Sequence, residues 1–173
     1  NAPAGRAVKI LLIEDNPLHQ RLVQQLLADS RSPACQLEVV DRLSDGIERL
    51  GQGDIELVLL DLTLPDSQDL DTFVRVRARA PHLPIVIITN HDDVKLAAKA
   101  VEAGAQDYLV KTQLSRTALS RSVRYALERT RVRDAEWDSP MFRLAQRQFL
   151  QAAQLLALDD NIRQRLLFPQ RSL

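Results

Sequence analysis

The sequence predicts an α/β fold, a doubly wound five-stranded parallel sheet followed by a C-terminal helical extension. Three observations carry that expectation. Short apolar runs recur from Val8 to about Arg133, each is followed by a stretch with helical spacing, and the connections between them are brief. Strict βα alternation with short loops calls for a parallel sheet covered by helices on both faces. Right-handed crossovers then leave few topologies.

Strands are expected at 7–13, 36–41, 55–60, 84–89 and 106–110, and helices at 17–29, 43–51, 68–79, 93–103 and 113–135. The runs Val8-Lys9-Ile10-Leu11-Leu12-Ile13, Ile55-Glu56-Leu57-Val58-Leu59-Leu60 and Ile85-Val86-Ile87-Ile88 have the near-continuous apolar character of strands buried on both faces. Leu18, Leu22, Leu26 and Ala28, with Val23 and Leu27, are expected to give the first helix its apolar face. Leu114, Ala118, Val123, Ala126 and Leu127 should pack the fifth helix on the sheet. Five strands in about 125 residues suit the flavodoxin-like order 2-1-3-4-5, whose ligand site lies at the switch between the first and third strands.

Composition narrows the class. The chain has 173 residues, with 27% charged and 45% hydrophobic side chains, as in soluble globular proteins. Its formal net charge is zero, so no whole-chain field steers it to nucleic acid or an acidic membrane, and neither partner is expected. The single cysteine, Cys35, excludes an intramolecular disulfide and suits a reducing, cytoplasmic setting. Cys35 itself is expected as a buried small hydrophobe. No apolar run approaches the roughly 20 residues of a membrane helix, and no signal-peptide pattern opens the chain. A start at Asn1-Ala2 and a stop at Gln170-Arg171-Ser172-Leu173 suggest a segment of a longer protein. Residues 7–133 are expected to form one domain and 134–173 a helical extension.

Chemistry concentrates at one edge of the expected sheet. Glu14 and Asp15 follow the first strand, Asp61 the third, Thr89 ends the fourth, and Lys111 follows Asp107-Tyr108-Leu109-Val110. The C-terminal ends of parallel strands are where open α/β sheets bind ligands. One acid there is ordinarily a solvated loop residue; five groups of complementary chemistry at matched strand ends make a site. Three crowded acids repel, and a hard divalent cation such as Mg²⁺ relieves them, with the Thr63 backbone carbonyl as a further oxygen ligand. Asp61 can act as a nucleophile, since carboxylates form aspartyl phosphates. Positive charge from the cation and Lys111, with the Thr89 hydroxyl, would then surround the phosphoryl oxygens.

Leu11-Leu12-Ile13-Glu14-Asp15-Asn16, Leu59-Leu60-Asp61-Leu62-Thr63-Leu64-Pro65-Asp66, Ile88-Thr89 and Tyr108-Leu109-Val110-Lys111 resemble, in order and spacing, the receiver domain of two-component response regulators. The resemblance covers roughly residues 7–130. It implies a phosphoacceptor signal receiver rather than an enzyme, with Asp61 as the phosphoacceptor and Glu14 and Asp15 holding Mg²⁺. Lys111 would contact the phosphate, Thr89 would follow it on activation, and Tyr108 would turn inward behind Thr89. A histidine kinase or phosphotransfer protein is the implied partner. Homodimerisation through the face of the fourth and fifth helices, or through the C-terminal helices, is a further expectation.

Three positions depart from that pattern. Thr112 stands after Lys111 where receivers usually have a proline with a cis peptide bond, so either Lys111 is displaced or strain is retained. Asn90 follows Thr89 where a small residue is usual. Asp69 occupies a place that is often glycine; if φ > 0 is needed there, aspartate tolerates it better than most residues. Thr112 and Asn90 keep open a competing reading, a receiver-like interaction module that is never phosphorylated.

Other features carry less. His19 lies on the first helix near the site, and a solvated surface histidine is preferred to a phosphohistidine. His82 and His91 have no cysteines at zinc spacing. Gly51-Gln52-Gly53 is too short for a dinucleotide fingerprint and precedes a strand. Arg116, Arg121, Arg124, Arg129, Arg131 and Arg133 make the fifth helix basic, which is read as a solvated face continuing into a connector.

Beyond Arg133, Trp137-Asp138-Ser139-Pro140 breaks the helix, and Phe142, Ala145, Phe149, Ala152, Ala153 and Leu156 fall on one helical stripe. Ile162, Leu166 and Leu167 belong to another short helix. These apolar groups should be docked or dimerised. Phe149–Asp160 and Ile162–Arg171 are similar to the opening segment of the Glu/Leu/Phe/Val dehydrogenase family. That resemblance would make the natural protein a receiver fused to an amino-acid dehydrogenase; the alternative is a generic helical extension.

Overall fold

A computed structural model describes residues 6–28 and 34–137. Strands β1 (Val8–Ile13), β2 (Cys35–Val40), β3 (Leu57–Asp61), β6 (Ile85–Thr89) and β7 (Asp107–Val110) form one sheet in the order β2-β1-β3-β6-β7. All four pairings are parallel. Setting aside β4 (Thr63–Leu64) and β5 (Ser67–Gln68), which make a separate antiparallel ribbon, this is the order 2-1-3-4-5 expected from the sequence. The ribbon was not foreseen, because strands of two residues carry no periodicity to read.

The helices are α1 (Pro17–Ala28), α2 (Leu43–Leu50), α3 (Asp69–Arg79), α4 (Val94–Glu102) and α5 (Arg116–Trp137). Single 3-10 turns at His91–Asp93 and Lys111–Gln113 precede α4 and α5, so both helices begin later than their apolar spacing predicts. Contacts divide the chain into two units, Asn1–Thr130 and Arg131–Leu173, and of the second only α5 as far as Trp137 is described. The expected C-terminal helices and their apolar stripe lie outside the described residues.

Burial follows the pleat. Every residue of β3 and β6 is buried, whereas the edge strands β2 and β7 contain none. Leu11, Ile13, Val58, Leu60, Ile85 and Ile87 pack with Leu43 of α2, Phe73 and Val76 of α3, and Ala97 and Ala100 of α4. Their alternates Ile10, Leu12, Leu57, Leu59, Val86 and Ile88 pack with Val23 and Leu27 of α1 and Leu119, Val123 and Ala126 of α5. Continuous apolar runs are therefore the signature of strands covered on both sides.

Several packing expectations need correction. Leu18 is 71% exposed, and Ala28 at the end of α1 is exposed as well. Val23 and Leu27 set the buried line of α1, and a residue five positions before Val23 lies well round the helix from it. On α5 the sequence reading missed Leu119, which is fully buried, one turn before Val123 and on the same line. Cys35 is half-buried at the start of β2 rather than enclosed, and burial still raises its thiol pKa.

The ribbon ties the loop after β3 to α2. Arg42, at the N-cap of α2, makes no side-chain cap. Instead Asp66 accepts hydrogen bonds from the N–H groups of Leu43 at 2.8 Å and Ser44 at 2.9 Å. Burial opposes ionisation of Asp66, but the two backbone donors outweigh it and hold the carboxyl below its usual range. Asp69 has φ of 60°, the one non-glycine residue with positive φ among those described.

Candidate functional site

Register brings the chemistry to one edge. Ile13 pairs with Leu60, Asp61 with Ile88, and Thr89 with Val110, so four strands finish within a residue or two of a common line. Asp61 and Thr89 are the last residues of β3 and β6; Glu14 and Lys111 are the first residues after β1 and β7. Hydrophobic strands on both sides of these ends keep water away. Glu14, Asp61 and Lys111 retain only 1%, 4% and 7% of their exposure.

Lys111 Nζ donates to Asp61 Oδ2 at 2.6 Å and lies 2.7 Å from Glu14 Oε2. Asp61 Oδ1 accepts the Thr63 N–H at 3.1 Å. Burial pushes the Asp61 carboxyl up to about 6; the Lys111 hydrogen bond works against that rise, the charge of Glu14 adds to it, and Lys111 charge and the Thr63 N–H again oppose it. For Lys111, burial disfavours the ammonium, yet bonds to Asp61 and Glu14 prevail and keep its pKa above the ordinary value.

The donors suit a hard cation. One oxygen from each of Glu14, Asp15 and Asp61 lies within 4.8 Å of the others. Glu14 Oε2 is buried, with the Lys111 ammonium as its neighbour at 2.7 Å. Asp15 sits exposed at the rim, open to solvent. Three acids against one ammonium leave an excess of negative charge, and an all-oxygen set fits Mg²⁺, which combines one or two carboxylates with water and phosphate oxygens.

Thr89 and Tyr108 lie on the adjacent strands β6 and β7. Thr89 is 1% exposed, one residue beyond the partner of Asp61, on the strand beside β7. Tyr108 is half-buried opposite Ile87 and packs against the core beneath α3 and α4. Thr63 is exposed, and its observed contact with Asp61 is made through its N–H. Asn90 is exposed and begins the 3-10 turn that leads into α4. His19 is not the solvated residue expected from the sequence. Its side chain is 29% exposed, and its Nδ1 is buried 3.6 Å from Glu14 Oε1. Helix α1 starts at Pro17 as the sequence predicts, but no periodicity within it records the distance from His19 to Glu14.

A family model of the response regulator receiver domain matches residues 10–124. The chain belongs to this family. The receiver is 31% identical over 157 residues to response regulator protein FleR of Pseudomonas aeruginosa, a match covering 90% of this chain and 32% of FleR. It is 36% identical over 106 residues to transcriptional regulatory protein BasR of Escherichia coli, covering 60% of this chain and 46% of BasR. The chain thus spans less than half the length of these curated relatives. Among solved structures, the signal receiver domain of an HD domain-containing protein from Pseudomonas fluorescens matches with a TM-score of 0.67 at 25% identity, over 78% of this chain and 97% of that one. The receiver domain of NtrX from Brucella abortus matches with a TM-score of 0.61 at 25% identity, over 69% of this chain and 98% of its own.

Receivers are phosphoacceptor signalling domains of two-component systems, regulatory rather than enzymatic, that work with histidine kinases or phosphotransfer proteins. They bind Mg²⁺ in an acidic pocket, and this receiver has an acidic cluster at the corresponding sheet edge. Thr112 does not displace Lys111, whose ammonium reaches both buried carboxylates. No helix among the described residues is long and apolar enough to cross a membrane.

Proposed function

We propose that Asp61 accepts a phosphoryl group from a histidine kinase or phosphotransfer protein, with Mg²⁺ held by Glu14, Asp15, Asp61 and the Thr63 carbonyl. One observation carries the reading. Lys111 bridges the buried carboxylates of Asp61 and Glu14, and an oxygen of Asp15 lies close to both, so a nucleophile, an ammonium and a set of oxygen donors share one sheet edge. An Asp61 oxygen attacks phosphorus, the bond from phosphorus to the donor nitrogen breaks with its electron pair going to nitrogen, and the donor histidine, already protonated on its other ring nitrogen, leaves as neutral imidazole. Bound Mg²⁺ supplies charge neutralisation for the phosphoryl oxygens. Lys111 has three N–H donors and uses two directions on Asp61 and Glu14, leaving one for a phosphoryl oxygen.

The acyl phosphate adds about −1.5 to −2 of charge near neutral pH. The Thr89 hydroxyl donates to it, and Tyr108 takes up the space Thr89 vacates. Those differential contacts shift the population of the α4–β7–α5 face, which is the surface proposed for self-association. Residues 7–133 constitute the receiver and 134–173 the extension that connects it to output; the single cysteine and the two-component partner support a cytoplasmic site of action.

Intact mass after incubation with Mg²⁺ and acetyl phosphate or phosphoramidate tests the reading. The expected result is a gain of one phosphate that needs Mg²⁺ and disappears in Asp61→Ala. No gain in a folded, Mg²⁺-binding wild-type chain would favour a module that acts without phosphorylation.

A further inference from the structure

Glu14 is held on both sides of its carboxylate. Oε2 faces Lys111, while Oε1 accepts the Asn16 N–H at 3.0 Å and faces His19 Nδ1 at 3.6 Å. Nδ1 is buried and has no hydrogen-bond partner. A buried imidazole nitrogen without a partner is costly, and a carboxylate oxygen with one lone-pair direction still open stands a few tenths of an ångström beyond bonding distance. His19 does not complete the ligand set itself. The group of mutually close donor atoms contains Glu14, Asp15 and Asp61 without it.

We propose that His19 is a positioning residue for the cation site: its Nδ1–H closes onto Glu14 Oε1 and turns Oε2 toward the cation. The inference rests on the Mg²⁺ reading above and adds a residue to it. Partners of this kind act through ligand orientation and basicity, and their loss typically weakens metal affinity about 10- to 100-fold. The geometry makes a sharp demand on the replacement. An asparagine amide nitrogen occupies nearly the place of Nδ1, whereas leucine fills similar space with no donor.

Two measurements test this. In the metal-free wild type, nitrogen-resolved NMR of the imidazole, assigned by the signal lost in His19→Asn, should show a proton on Nδ1. A bare Nδ1 overturns the proposal. Calorimetric Mg²⁺ titration of chains verified as folded should then show about tenfold weaker binding for His19→Leu and binding within about twofold of wild type for His19→Asn. Equal affinities in all three, or equal losses in both variants, overturn the role of the donor. A wild-type chain with a protonated Nδ1 that takes up no Mg²⁺ overturns the cation reading and the positioning role together. A bare Nδ1 in a Mg²⁺-binding chain overturns the positioning role alone.

Discussion

Lys111 separates two carboxylates that are almost entirely removed from water, so its charge holds the metal-free pocket together. Breaking a buried ion pair by deleting one partner costs about 3–5 kcal/mol, because the other charge stays buried. Lys111→Met should therefore lose about 3 kcal/mol in urea unfolding at pH 7.5 with chelator present. The loss should shrink near pH 5, where Asp61 takes a proton; equal losses at both values would contradict the account. The same raised pKa sets a sign for the wild type. The folded state binds the Asp61 proton more tightly than the unfolded chain does, so metal-free stability falls as pH rises from about 4 to about 6. Asp61→Asn should flatten that slope. At Asp69, φ of 60° is available to glycine at lower cost, and Asp69→Gly should raise stability by about 0.5–1 kcal/mol in the same assay. That aspartate was legible in the sequence as a question of backbone angle; only the structure shows that the angle is positive.

Elements meet through contacts that short-range patterns do not record. Helix α2 has Arg42 at its N-cap, a poor capping residue, and takes its cap from Asp66, more than 20 positions later. Asp66→Ala should cost about 1 kcal/mol near neutral pH, measured as a shift in the urea midpoint. Asp66 has a lowered pKa, so its contribution is complete above the ordinary carboxylate range and fades as pH falls through the folded value. The penalty of the alanine variant should shrink accordingly in acid. This link also places the loop after β3 and α2 under one constraint. His19 belongs to the same class of contact, a helix residue set over a strand end by where the helix starts.

The five groups of the site and both core clusters lie within residues 6–130. A chain ending at Trp137 should therefore accept phosphate from acetyl phosphate at the rate of the full chain, followed by intact mass. A large loss of rate would assign the extension a part in the chemistry rather than in output. The two edge strands remain half-solvated, whereas β3 and β6 are wholly buried.

By itself the sequence determined the fold and which charged residues the sheet's carboxyl edge brings together. Runs as apolar as those of β1, β3 and β6 can be stable only when covered on both faces, and acids placed just after them must surface at the sheet's carboxyl edge. Tertiary structure decided what those residues do to one another. It set the two short bonds of Lys111, the cap from Asp66, the exposure of Leu18 and the turn of His19 toward Glu14. These depend on where separate elements stop and start relative to each other, and no periodicity within one element carries that distance.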